Sequence, residues 1–207
     1  MNQNKFHELY DALVSEEIYE FYAELIHSID PDATIIDAGC GSGALARKLR
    51  QFTENICGFD LDETLIEKAQ KNLGQISFVN HDMHEPWPFY GSLVCMSQDV
   101  INFTNKPYVV FKHAIDAIMG EGVILFDMYI DVKNHEENGQ MPYPYHWKRT
   151  VEGFNITHEV WIKEEKYIFK QYIHPIENII AWFNKEGFQV ETMNYINHEK
   201  IVLIASR

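Results

Sequence analysis

Three glycines at alternate positions, Gly39, Gly41 and Gly43, follow an apolar run that ends on Asp37 in the stretch IIDAGCGSG, residues 35–43. Glycines set this close together serve a backbone that needs positive φ or must let another group come near. If the loop joins a strand to a helix, the free N–H groups of the helix start can hold an anion. GCGSGA also satisfies the loose dinucleotide-binding pattern, and Asp60 lies where that pattern expects a ribose-binding carboxylate. A carboxylate offers two acceptor oxygens and can take both ribose hydroxyls. Asp37 argues against a pyrophosphate, because its charge at the strand end would repel one.

Further polar residues follow the next apolar runs. NHDMHEPW (80–87) carries Asp82 and Met83, and MSQDVINF (96–103) carries Gln98. His81 and His84 stand three apart, but the EPWP after them forbids a helix and no third ligand is near. They read as solvated loop histidines, not a metal pair. No metal site is expected. Cys40, Cys57 and Cys95 lie in apolar runs without metal-like spacing and read as small hydrophobes in a reducing, cytoplasmic setting.

A repeating rhythm positions these residues. Apolar residues at helical spacing, Phe6 to Val14 and Ile18 to Ile29, predict two N-terminal helices ending near Pro31. TIIDAG, NICGFD, ISFVN, SLVCMS and GVILFDMY read as five buried strands, with helices over GALARKLRQF, over ETLIEKAQKNL capped by Asp62, and from Pro107 to Met119. The strands are apolar throughout, as strands covered on both faces must be. The order predicts an α/β fold with a doubly wound, mostly parallel sheet.

After Tyr129 the rhythm changes. Residues 130–145 read as a polar, Pro-rich loop, and YHWKRTVEG, NITHEVWIK and KYIFKQYIH as three strands of a small antiparallel insertion over 130–174. A helix from Ile176 to Gly187 follows, then FQVETMNY and KIVLIASR. The INHE between them is too short for a parallel crossover, so the last pair is antiparallel and completes a seven-stranded sheet. The whole of 1–207 reads as one domain.

Composition narrows the partners. A hydrophobic content of 46% with 23% charged residues is that of an ordinary globular chain. A net charge of −14, with Lys148-Arg149 as the longest basic cluster, disfavours nucleic acid. The polar, amphipathic N-terminus predicts neither a signal peptide nor a membrane span.

With DAGCGSG, GFDLD and HDM in these places, the chain resembles the class I S-adenosylmethionine-dependent methyltransferases, over nearly its whole length. The resemblance implies a Rossmann-like fold and S-adenosylmethionine as cofactor. It implies Asp37, Gly39, Gly41 and Gly43 around the methionyl part, Asp60 on the ribose, and Leu61 against the adenine. Asp82 would accept from the exocyclic amine, the Met83 N–H would face the ring, and Gln98 would sit near the methionyl group. Tyr10 and Tyr19 would close over the cofactor. The insertion would form a lid over a small-molecule acceptor, methylated on nitrogen or oxygen by a monomer or homodimer.

The insertion's aromatic residues, Tyr145, Trp147, Trp161, Tyr167, Phe169 and Tyr172, fit the packing face of a sheet. His146 and His174 at its edges are the candidate general bases. The Asn-Pro-Pro-aromatic motif of nucleic-acid amino methyltransferases is absent, since QDVINF stands in its place. Two other functions remain open. An NAD(P)-dependent oxidoreductase would need a catalytic Tyr and Lys four apart, which YVVFK (108–112) supplies only on a helix. A non-catalytic protein that binds the same cofactor would carry the same loop.

Overall fold

The computed structural model describes residues 6, 9, 10, 13–140, 142–194 and 199–207. The first predicted helix lies partly outside these residues, with helical backbone at Phe6, Leu9, Tyr10 and Leu13. Most of the INHE connection also lies outside them.

Helix α1, Glu16–Ile29, starts where the Ser15 side chain accepts from the Glu17 N–H, with two glutamates in its first turn. Strand β1, Ile35–Ala38, leads through the glycine loop into α2, Ala44–Leu49. Strand β2, Ile56–Asp60, is followed by α3, Glu63–Asn72, and β3, Ser77–Asn80. Asp62 caps α3 as expected, accepting from the Thr64 and Leu65 N–H groups at 2.9 and 3.2 Å. Strand β4, Gly91–Met96, runs into a single 3-10 turn, Val100–Phe103, and then α4, Pro107–Ala117. The helix ends two residues before the predicted Met119, because Ile118 is already extended and begins β5, Ile118–Tyr129.

The inserted sheet has four strands, not three. Strand β6, His135–Gly139, forms within the expected loop and pairs with β7, Tyr145–Glu152. Its sequence HEENG is polar because it is an edge strand held by backbone pairing, so no apolar alternation betrays it. Strands β8, Asn155–Ile162, and β9, Glu165–Tyr172, complete the sheet through two-residue hairpin loops. Gly153 and Lys163 supply the positive φ those loops need.

Helix α5, Ile176–Lys185, ends where Gly187 turns left-handed and the Phe188 N–H returns to the Phe183 carbonyl. Strands β10, Gln189–Asn194, and β11, Lys200–Ser206, close the main sheet in the order β10-β11-β5-β4-β1-β2-β3. β11 runs antiparallel to both β10 and β5.

Alternate residues of each central strand feed opposite faces. Ile35, Leu93, Cys95 and Leu125 pack under α1, α2 and α3, while Ile36, Val94, Met96 and Phe126 pack under α4 and α5. Strand order reverses between β1 and β4, so the helices after them leave to opposite faces and a crevice opens at their carboxyl ends.

Candidate functional site

A cavity of about 490 Å³ occupies this crevice. Asp37, Gly39, Gly41, Asp60, Leu61, Asp82, Met83, Gln98, Tyr10 and Tyr19 all border it. Gly43 does not. It begins α2 in the left-handed conformation, with φ 83°, and a Cβ there would meet Leu73 at 2.9 Å.

The loop is shaped by what surrounds it. Gly39 and Cys40 donate to the Phe59 carbonyl at 2.8 and 3.0 Å, tying the loop to the end of β2. Gly39 has φ 77°, and a Cβ on it would come within 2.6 Å of the Val100 side chain. Gly41 has φ 52° with open space where a Cβ would stand. Its N–H donates to Asp60 Oδ2 at 2.9 Å, while the Asp62 N–H donates to Oδ1 at the same distance. Asp60 thus braces the loop from β2, and a carboxylate oxygen can accept more than one hydrogen bond.

Asp37 is 2% exposed, and its Oδ2 has no hydrogen-bond partner among the described residues. Burial, reinforced by the Asp60 charge, pushes its carboxyl up to about 7. A buried carboxylate so placed attracts a cation and rejects a phosphate. This is the strongest local evidence against a dinucleotide pyrophosphate. The burial also keeps Cys40, Cys57 and Cys95 protonated, the Cys57 thiol being raised to about 12.

His81 and His84 lie on the loop the sequence suggested and are partly exposed, but their rings also make contacts the sequence did not suggest. His84 bonds Asp82 Oδ1 through Nδ1 at 2.7 Å and Thr104 Oγ1 through Nε2 at 2.7 Å, and its backbone N–H donates to the same Asp82 oxygen. Those backbone and imidazole donors lower the Asp82 pKa. His81 packs edge-on against Phe59 with Nε2 buried and unpartnered among the described residues. No cluster of His, Cys, Asp and Glu among the described residues could hold a metal.

Neither candidate base borders the cavity. His146 lies on β7 with Nδ1 on Asn138 at 3.0 Å and Nε2 beside Glu136. His174 is buried with Nε2 on the Ile101 carbonyl, and burial lowers its pKa. Tyr108 and Lys112 of YVVFK also lie outside the cavity, with Lys112 paired to Asp116.

Sequence reasoning missed Phe6, Phe103 and Val100 at the cavity and missed a buried polar network behind it. Asp99 is held by Lys200 and by Gln171, and its N–H donates to Asp127 Oδ1 at 2.6 Å. Burial alone would lower the Lys200 pKa, but the Asp99 and Asp127 carboxylates overcome it and raise it well above the ordinary value. Gln98 and Asp99 both have positive φ, 63° and 56°, a local strain that the network sustains. A pair of positive-φ non-glycine residues leaves no trace in sequence.

Comparison with known proteins agrees with this geometry. Residues 35–122 match the family model described as a methyltransferase domain. A Bacillus subtilis protein named as a methyltransferase, YqeM, is 28% identical over 137 residues, which take in 62% of this chain and 56% of that protein. A Geobacillus protein, also named as a methyltransferase, is 23% identical over 92% of this chain and 90% of its own length. Among solved structures, an S-adenosylmethionine-dependent methyltransferase from Clostridium acetobutylicum superposes with a TM-score of 0.81 at 15% identity, covering 98% of each chain. CalS10, an amino pentose methyltransferase from Micromonospora echinaspora, also reaches 0.81, at 16% identity and 96% of each chain. Sheet order and crevice are those of the fold of S-adenosylmethionine-dependent methyltransferases of known structure, and residues 35–122 are similar to a methyltransferase domain.

Proposed function

We propose that this chain binds S-adenosylmethionine in the crevice between β1 and β4 and methylates a nitrogen or oxygen of a small molecule. The observation that carries the reading is the meeting, around one cavity, of Asp37, Gly39, Gly41, Asp60, Leu61, Asp82, Met83 and Gln98. The unpartnered Asp37 Oδ2 and the open space where a Gly41 Cβ would stand fit a cationic group lying against the loop.

In this assignment Asp60 takes the ribose hydroxyls and the exposed Leu61 covers the adenine. Asp82, with Oδ1 fixed by His84, turns Oδ2 to the exocyclic amine. Bound S-adenosylmethionine supplies a methyl carbon already activated by its sulfonium. The protein's own work is to hold the acceptor in line and to exclude water. The inserted sheet over 130–174 serves as the lid, since Phe169 reaches the cavity from β9. Tyr10 and Tyr19 close the cavity from the N-terminal helices. The small-molecule acceptor is supported by the net charge of −14 and by neighbours such as CalS10 whose names specify amino sugars.

Thermal melting tests the reading against its rival. S-adenosylhomocysteine raises Tm, and NAD and NADP leave it unchanged. A rise with NAD and none with S-adenosylhomocysteine would establish the oxidoreductase reading instead.

A further inference from the structure

The cavity has two unlike halves. Asp60, Leu61, Asp82 and Met83 follow β2 and β3 and make one polar end. On the β4 side, rings from three parts of the chain form a continuous border. Tyr10 and Phe6 lie 6.2 Å apart between centroids, Phe6 and Phe169 5.3 Å, and Phe169 and Phe103 6.0 Å. Phe169 is fixed from behind by His158, stacked at 4.4 Å with the ring planes nearly parallel. All four rings border the cavity.

The charged side chains bordering the cavity are of one sign. No Lys or Arg borders the cavity among the described residues, while Asp37 and Asp60 do. Such a wall repels a carboxylate or phosphate acceptor and favours a cation. Among the rings themselves no group can remove a proton; Asp37 and His81, whose Oδ2 and Nε2 have no hydrogen-bond partner among the described residues, border the cavity from β1 and from the end of β3. The imidazole of His84 has both nitrogens engaged, by Asp82 and Thr104. Tyr10 is held protonated by burial and then by the Asp99 charge, so its hydroxyl is a donor and not a base. A hydroxyl acceptor would need a base at this end, and a carboxylate acceptor would need a cation.

We infer that the ring wall of Phe6, Tyr10, Phe103 and Phe169 is a subsite for an amine, and that the acceptor is methylated on nitrogen. This rests on the methyltransferase reading and narrows it from nitrogen or oxygen to nitrogen. An uncharged amine carries its own lone pair to the methyl carbon, and the C–N bond forms as the C–S bond breaks. The bonding pair stays on sulfur, the positive charge passes to nitrogen, and the product ammonium sheds its proton to water. The aromatic faces meet that growing charge without any proton transfer to the protein.

Three probes of similar shape and different charge test the subsite by calorimetry, with and without saturating S-adenosylhomocysteine: benzyltrimethylammonium, benzyl alcohol and benzoate. The ammonium is expected to bind at least tenfold more tightly than benzyl alcohol, and benzoate to give no heat. Phe103→Ala and Phe169→Ala should each weaken the ammonium at least fivefold while S-adenosylhomocysteine affinity stays within threefold; Phe103 is a turn residue, so its variant folds even if that of Phe169 does not. Equal binding of the alcohol, tighter binding of benzoate, no binding of the ammonium, or indifference of both variants would each overturn the inference. Loss of S-adenosylhomocysteine binding in the wild type would sink the methyltransferase reading instead, while the probe ranking on the protein alone would still decide the subsite.

Discussion

Gln171 of the inserted sheet and Asp99, just beyond β4, share one buried hydrogen bond, with both side chains almost wholly removed from water. The bond has leverage at both ends. Phe169, on the same face of β9 two residues earlier, borders the cavity, and so does Gln98, next to Asp99. One contact therefore sets the distance between the aromatic wall and the strand end beside the proposed methyl donor. Asp99 in turn is held by Lys200 of β11, which packs over the Tyr129 ring. Arg149 of β7 adds a second tie, a two-pronged ion pair with Glu199.

Replacing Gln171 with Leu removes one donor from the buried Asp99 and should cost about 2 kcal/mol of stability. Gln171 does not border the cavity, so S-adenosylhomocysteine affinity should stay within about threefold. Gln171→Glu brings a second carboxylate against Asp99 and should be worse than Leu. Urea melts and hydrogen exchange of the β9 amides check this. A loss of cofactor affinity as large as the loss of stability would show that the inserted sheet and the cofactor end are not separable.

Asp37 predicts a pH dependence whose sign follows from its burial. Its carboxyl titrates near 7 in the folded chain against an ordinary 3.8, so between those values the folded state holds a proton that the unfolded state has lost. Stability contributed by that proton is present at low pH and falls as pH rises through this window. Asp37→Asn should therefore raise stability above about pH 7.5, by an amount on the order of 4 kcal/mol that reads as a higher Tm, and have a smaller effect near pH 5. The α-ammonium group of S-adenosylhomocysteine is a cation that favours the ionised form, so wild-type affinity for it should climb between about pH 6 and about pH 8. The Asn variant should bind more weakly and lose that climb. Melting curves and titrations at the two ends of the range read both effects, and a flat wild-type profile would remove Asp37 from the site.

Much of this arrangement is legible in the sequence, and the illegible part has a physical pattern. The glycine loop, Asp60 and the Asp62 cap are local devices whose residue types and spacing state their purpose. Buried strands declare themselves by continuous apolar runs. β6 does not, because an edge strand is specified by backbone pairing while its side chains stay polar. The Asp99 network joins the segment after β4 to residues of β5, β9 and β11, and its members look like ordinary surface residues in sequence. His84 is the loop residue the sequence suggested, but its partner Thr104 comes from another part of the chain, brought near only by the fold.

Of the three loop glycines, Gly39 would bring a Cβ closest to a neighbour. Alanine there must adopt φ 77° and place its Cβ within 2.6 Å of Val100 Cγ2. The left-handed conformation alone costs about 1–2 kcal/mol, and the overlap adds about 1–3 kcal/mol. Val100→Ala on the Gly39→Ala background should restore the steric part and leave the backbone part. Chemical denaturation of the two single variants and the double variant isolates the coupling. Strict additivity would mean that the loop relaxes away from Val100.

The central claim, that the β1–β4 crevice holds S-adenosylmethionine through Asp60 and the glycine loop, is met most directly by calorimetric titration of S-adenosylhomocysteine into the wild type and Asp60→Ala. Saturable one-to-one binding is predicted for the wild type. A loss of at least tenfold, about 1.4 kcal/mol, is predicted for the variant, which surrenders both the ribose acceptor and the brace on Gly41. No heat from the wild type, or an affinity unchanged by Asp60→Ala in a folded variant, would contradict the account.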